Sequence, residues 1–496
     1  MRADGLAGGE GGADRLGELI PVALRAMAAG VAERGGPVPA GGPAAVAAAL
    51  VAERGELGQV TAGADGTGRT SPAALPRTGV GAEAALEHLS RLLAAGSADP
   101  GDPACAAHLH CPPLAVSVAA DVVASALNPS MDSWDQAPVA SELEREFTAG
   151  IARLCYPRAG NPDAVVTTGG TESNLLGLLL ARERNPRAQP VCGANAHHSV
   201  ARAAWLLGLP APIVVPCAGD RLVPGALAGV LTPDSVVVAT AGTTNTGTLD
   251  PLPEIAGICR RHGARLHVDA AYGGMALCSE SLKPRLDGLD LADSVALDLH
   301  KFGWQPVAAG LFAAREAAEL AALTVRAEYL NADDDTEAGL PDLLGRSIRT
   351  SRRPDAFRMA VTVHALGTDG LGALVERCCA TATEVARLVD GHPGLRLWGA
   401  PELSTVVLRP VVADEAGGAA GDELVARVRR ALLEAGTAVI GRAALPAGPG
   451  GENRLWLKLT LLHPHTTAED YRPLLDRIAA TAGAELPAGR ESPVAS

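Results

Sequence analysis

The sequence predicts an α/β fold built on a parallel sheet that is covered on both faces. Three observations predict it. Short β-rich runs alternate with amphipathic helices between about residues 160 and 315. The strands read as near-continuous apolar runs rather than as in–out alternation, the mark of strands buried on both faces. Glycines stand where strand passes to helix, as crossover turns require.

The elements follow in order. Residues 1–14 are mostly glycine and charge, with little to bury, and predict a disordered start. Helices are expected over 15–33 and 42–53, and a third over AEAALEHLSRLLAAG; the Gly-, Thr- and Pro-rich stretch GELGQVTAGADGTGRTSPAALPRTG separates them. Residues 1–100 thus form a peripheral helical segment. A large domain over 101–365 carries the strands DAVVTTGG, APIVVPC, SVVVATAG, RLHVDAAY and SVALDLHK. Its helices include TESNLLGLLLARERN and PLPEIAGICRRHG, the latter with Pro251 near its start and Gly263 at its end. Beyond residue 366 a smaller α+β domain runs to 496, with strands STVVLRP and RLWLKLTLL around the helix DELVARVRRALLEAG.

Composition narrows the functional classes. The chain has 496 residues, 47% apolar and 20% charged, enough core for a large enzyme subunit. A net charge of −14 argues against a broad nucleic-acid surface. No apolar run approaches the ~18 residues of a membrane span, and the opening MRADGLAGGEGGADRLGEL lacks the apolar block of a secretory leader. Nine cysteines, none in a CxxC pair, predict reduced thiols in a cytoplasmic protein.

Four segments carry chemistry. Thr168-Gly169-Gly170-Thr171-Glu172-Ser173-Asn174 lies between a strand and a helix, where glycines and a helix N-terminus suit an anion. Alone it is weak: 57 glycines guarantee several such turns, and it matches neither the P-loop nor GxGxxG. Asp269, in LHVDAAY, ends an apolar strand at the edge where open α/β sheets bind ligands, although a strand-end Asp is more often a turn cap. Asp298-Leu299-His300-Lys301 again follows a strand; an isolated Lys is usually solvated, but one at a sheet mouth is a candidate amine nucleophile. His197, in AHHSV, offers a flat imidazole that suits stacking on an aromatic cofactor.

One cofactor uses all four. Pyridoxal 5'-phosphate needs a Schiff-base lysine, a carboxylate at its pyridinium nitrogen and a phosphate cradle. At this point the chain resembles the group II pyridoxal-phosphate-dependent amino-acid decarboxylases, and most of all their L-2,4-diaminobutyrate/lysine decarboxylase branch. TGGTESN, VATAGTTNTGTLDPL, HVDAAYGG, DLHK and SRRPDAFRM carry the resemblance, in the family's order and spacing, from about residue 100 to 470.

The resemblance implies the fold-type I transferase fold and a homodimer with active sites at the subunit interface. It gives Lys301 as the lysine that binds the cofactor covalently, Asp269 as the pyridinium partner and His197 as the stacking histidine. Gly170, Thr171 and His300 match phosphate-side positions; Thr244 and Ala271 match residues lying against the cofactor. Two departures stand out. Leu343 falls near the loop tyrosine that several relatives use as proton donor, so Tyr329 or His197 takes that role here. Asp102-Pro103-Ala104 replaces the family's His-Pro-Arg.

The segment AHLHCPPLAVSV followed by LNPSMDSWDQAP favours the diaminobutyrate branch and offers Asp132 and Asp135 as partners for a distal ammonium; turn and helix capping is their plain alternative. An aromatic content of 3% argues against a pocket built to stack an aromatic substrate. The predicted reaction is therefore decarboxylation of a basic diamino acid: 2,4-diaminobutyrate, lysine or ornithine. The alternatives are an aromatic or acidic substrate, oxidative deamination after decarboxylation, and a non-catalytic homologue. His108-x-His110-Cys111 and His463-x-His465 lack the four-ligand spacing of a zinc site, so no metal is expected. Arg352-Arg353 is either an anion fork at the site rim or a plain surface pair.

Overall fold

A computed structural model describes residues 5–56, 76, 78–324, 333–448 and 450–486. Seven strands form the large sheet, in the order Asp163–Thr167, Gly310–Ala314, Ser294–Asp298, Arg265–Asp269, Ser235–Thr240, Gln189–Gly193, Ile213–Val215. All neighbouring pairs run parallel except those of Gly310–Ala314, which is antiparallel to both its neighbours. That strand and Gln189–Gly193 are absent from the sequence reading. Gly-Leu-Phe-Ala-Ala holds no β-branched residue, and Phe312 is its single strand-favouring side chain, so its composition gives only a weak strand signal. Burial on both faces selects it instead: Leu311, Phe312, Ala313 and Ala314 are all fully buried.

The parallel connections are made by helices including Gly170–Arg184 and Leu252–His262. The second ends at Gly263, whose φ of 66° puts it in the left-handed region, as expected for a C-terminal glycine. Because these strands run the same way, Thr240, Asp269 and Asp298 end along one edge, and the segments that follow them meet there.

A second sheet of five strands has the order Cys105–Ala106, Val439–Pro446, Asn453–Thr460, Thr405–Pro410, Leu395–Leu397. Its first pair is parallel and the others antiparallel. The chain therefore enters the small layer at Cys105 before it builds the large sheet. Helix Asp355–Asp390, broken at Gly367, joins the layers: Leu371, Leu374 and Val375 pack in the large core, whereas Val385 and Val389 pack in the small one.

At the N-terminus, helix Gly12–Arg34 packs along helix Ala82–Gly96. It begins three residues earlier than expected. Arg15 donates to the carbonyls of Leu6 (2.8 Å) and Glu10 (2.9 Å), so the Gly-rich approach is held against the first turn. Arg352 likewise departs from expectation. Its guanidinium meets Glu144 through two 2.6 Å hydrogen bonds in the interior, while Arg353 meets Asp121 on the surface at 2.8 Å. A fully buried guanidinium requires such a bidentate partner, so Arg352 is a structural ion pair and not a rim fork. Among the described residues no helix is long and apolar enough to cross a membrane, and all nine cysteines are free thiols.

Candidate active site

A cleft of about 480 Å³ opens at the carboxyl edge of the large sheet. Gly170, Thr171, His197, Thr244, Asp269, Ala271, His300 and Lys301 all line it. Eight residues spread over more than a hundred positions thus converge through the crossover topology. Asp132 and Asp135 do not line this cleft. Asp132 accepts from Ser130 Oγ at 2.5 Å and Ser351 Oγ at 3.0 Å, and Asp135 from Ser133 Oγ at 2.5 Å. Tyr329 lies outside the described residues, and Leu343 is buried.

The anion cradle forms where helix Gly170–Arg184 begins, its first-turn N–H groups lacking intrahelical partners. A side chain at Gly170 would put a Cβ 2.8 Å from the Ala271 Cβ, so only glycine lets the backbone come this close to the cleft wall. Glu172 fastens the turn by accepting from Thr168 N at 2.6 Å and Thr168 Oγ1 at 2.7 Å.

Asp269 accepts from Asn174 Nδ2 at 2.7 Å and from the Ala271 N–H at 3.1 Å. Lys301 Nζ lies 2.9 Å from Asp298 Oδ2, and His300 Nε2 lies 3.5 Å from the same oxygen. Asp298 Oδ1 is buried without a partner and faces the glycine turn. Burial pushes both His197 and His300 below the ordinary imidazole value, against the pull of the neighbouring aspartates, so both rings favour the neutral form.

The small sheet supplies further wall. Lys458, on strand Asn453–Thr460, reaches the cleft and donates to the Thr244 carbonyl at 2.6 Å. Burial lowers its pKa to about 8, with Asp220 opposing. His108, two residues beyond strand Cys105–Ala106, also lines the cleft, in a left-handed conformation (φ 63°) that is uncommon for a non-glycine residue. The sequence reading missed Asn174, Asp298 and Lys458 as site residues. Asp298 carried a usable signal, a carboxylate one helical turn before the lysine at a strand end. Lys458 carried none, because a lysine in an apolar strand reads as one polar interruption.

Residues 67–410 match the pyridoxal-dependent decarboxylase conserved domain. The chain belongs to this family. This pyridoxal-phosphate-dependent amino-acid decarboxylase is 38% identical over 423 residues to an L-2,4-diaminobutyrate decarboxylase of Rhizobium meliloti (strain 1021), covering 82% of this chain and 83% of that protein. It is 32% identical over 441 residues to an L-2,4-diaminobutyrate decarboxylase of Acinetobacter baumannii, covering 82% and 85%. Among solved structures it resembles the glutamate decarboxylase domain of diaminobutyrate-pyruvate transaminase and L-2,4-diaminobutyrate decarboxylase from Vibrio parahaemolyticus. The TM-score there is 0.80, with 27% identity, over 97% of this chain and 98% of that one. The fold is therefore fold-type I and the cofactor pyridoxal phosphate. The residues present fit that group: an amine, a carboxylate held by two N–H donors and a glycine-built anion cradle share one cleft.

Proposed function

We propose that this decarboxylase acts on a short L-diamino acid, L-2,4-diaminobutyrate foremost, and forms CO2 and 1,3-diaminopropane. The observation that carries the reading is the charge inventory of the cleft. Among its described lining residues only Lys301 and Lys458 carry an amine or guanidinium, and Lys301 is committed to Asp298 and the cofactor. Lys458 alone remains, one cation for one α-carboxylate. A dicarboxylic substrate would need a second. The two relatives named for L-2,4-diaminobutyrate support the same choice.

In this reading Lys301 holds the cofactor covalently, Asp269 keeps a proton on its ring nitrogen, and Gly170, Thr171 and His300 receive its phosphate. His197, Thr244 and Ala271 lie against its ring. When bound, pyridoxal phosphate supplies the electron sink for the pair released from the Cα–carboxylate bond. Asp298 Oδ2, 2.9 Å from Lys301 Nζ, positions that amine in the cleft. Tyr329 stands as the donor of the proton that Cα receives.

Asp132 and Asp135 enter this reading through a second subunit. Their loop lies between Leu127 and Val139, both 71% exposed, and Val118 and Val123 extend the apolar face. Leu89 and Leu93 add exposed apolar surface on the N-terminal helices. Surfaces of this kind suit a homodimer in which the loop faces the partner's cleft. A monomer by sedimentation at micromolar concentration would refute it. Nine free cysteines, eight of them buried, support a reducing cytoplasmic location.

The test is turnover of single amino acids by the cofactor-loaded protein, with products identified by mass spectrometry. 1,3-Diaminopropane with CO2 is expected. Turnover of glutamate or tyrosine with none of the diamino acids would overturn the assignment, and an aldehyde with ammonia would point to oxidative deamination.

Lys458 gives this reading a pH signature. Carboxylate recognition needs its ammonium form, so kcat/KM falls as pH rises through about 8. Lys458→Met removes a charged hydrogen bond worth about 1.5–3 kcal/mol, roughly a 10- to 150-fold loss in kcat/KM, and with it the part of the alkaline fall due to Lys458. A variant with an unchanged profile would release Lys458 from this role.

A further inference from the structure

We infer that Asn174 is a positioning residue which polarises a buried hydrogen-bond chain, so that the only proton of His197 sits on Nε2 and its Nδ1 is an acceptor. The chain starts at Ser294, which the strand register sets opposite His267. Ser294 Oγ lies 2.9 Å from His267 Nδ1, and His267 Nε2 lies 2.9 Å from Asn174 Oδ1. Asn174 Nδ2 then reaches two oxygens, Asp269 Oδ2 at 2.7 Å and Ser199 Oγ at 2.8 Å. Ser199 Oγ finally lies 2.8 Å from His197 Nδ1.

The direction of every bond follows from two fixed acceptors, His197 Nδ1 and Asp269. The Ser199 backbone N–H points at His197 Nδ1 at 3.3 Å and can only donate, so Nδ1 accepts. Asp269, as the carboxylate the cofactor requires, can only accept, so the Asn174 atom facing it is the NH2 group. Its second N–H goes to Ser199 Oγ, whose own proton is thereby turned to His197 Nδ1. Asn174 Oδ1 is left to accept from His267 Nε2–H, and Ser294 donates to His267 Nδ1. The two acceptors give one consistent pattern, with no donor facing a donor. Burial holds His267 neutral, its pKa lowered to about 4, so a single ring proton serves the whole chain. Gly177 makes room for this ring: a Cβ there would come 2.8 Å from His267 Nδ1.

The consequence concerns the proton donor. The charged and titratable groups facing His197 are Asp269, Asp298, His198 and Lys301. With Nδ1 engaged as acceptor, the ring offers the cleft one neutral N–H donor and is not the acid of the cycle. His197 therefore orients, and the proton that Cα receives comes from another group. This inference uses only bonds within the chain and Asp269's cofactor role, and does not depend on the substrate.

The experiment is 15N NMR of the pyridoxal-phosphate-loaded full chain labelled at histidine, with His197 assigned from the signals lost in His197→Gln. A protonated Nε2 and a bare Nδ1, unchanged from about pH 6 to about pH 8, are expected. An Nδ1–H tautomer, or an imidazolium forming in that range, would overturn the inference. Ser199→Ala removes one donor to Nδ1 without touching Asp269. It should raise the minor tautomer about tenfold, a hydrogen bond's worth, and leave the cofactor's absorption spectrum as in the parent. Asn174→Ala should disturb both the tautomer and the spectrum. A parent-like His197 signal in both folded variants would remove Asn174 from the positioning role, whatever their activity.

Discussion

Lys301→Ala should lower turnover by at least about a thousandfold and abolish covalent retention of the cofactor. The size follows from the place of Lys301 in the cleft. It is the proposed nucleophilic amine at the carboxyl edge of the sheet, and it is paired with Asp298 at 2.9 Å. Removing it also leaves the buried Asp298 carboxylate, with one unpartnered oxygen, without its cation. Borohydride treatment followed by mass spectrometry reads the first effect directly: the parent protein gains the reduced cofactor's mass on the peptide containing Lys301, and the variant does not. Parent-like turnover by Lys301→Ala would refute the assignment. The fold should survive, because the short helix Leu299–Phe302 is anchored by Leu299 and Phe302, both buried, rather than by the lysine.

Asp269→Ala should lower kcat by about a hundredfold or more while the variant remains folded. In the proposed assignment this carboxylate is the fixed negative charge that keeps a proton on the cofactor nitrogen. It is held in place by Asn174 Nδ2 at 2.7 Å and the Ala271 N–H at 3.1 Å. A preorganised charge of this kind acts when charge develops during the reaction, so its loss appears in kcat more than in KM. Cofactor affinity, followed by fluorescence, should fall as well. Asp269→Asn separates charge from shape. It keeps the volume but turns an amide toward the Asn174 amide, and should recover little of the rate. Full retention of kcat in either variant would remove Asp269 from the electron-sink role.

The two variants also bear differently on the buried chain behind the cofactor. Asp269 accepts from Asn174 at the branch of this chain, so Asp269→Ala frees an Asn174 N–H, whereas Lys301→Ala leaves the chain intact. The His197 tautomer should therefore survive Lys301→Ala and loosen in Asp269→Ala.

Much of this protein can be read along the chain. Periodicity marked the strands Asp163–Thr167, Ser235–Thr240, Arg265–Asp269 and Ser294–Asp298, because apolar runs bounded by glycine turns are local signals. The eight residues proposed for the cofactor side were named from short motifs that follow strands, and all eight line one cleft. What stayed hidden depends on contacts between distant positions. Asn174 meets Asp269 across 95 residues, and Lys458 meets the Thr244 carbonyl across 214. Gly310–Ala314 becomes a strand only because two neighbours accept it in the sheet. Arg352 reads as a rim cation until Glu144, 208 residues away, is found beside it in the interior. Local pattern reports which face of an element is apolar; only the packed fold decides which polar group meets which, because an unpaired charge or N–H in the interior costs too much to be left alone.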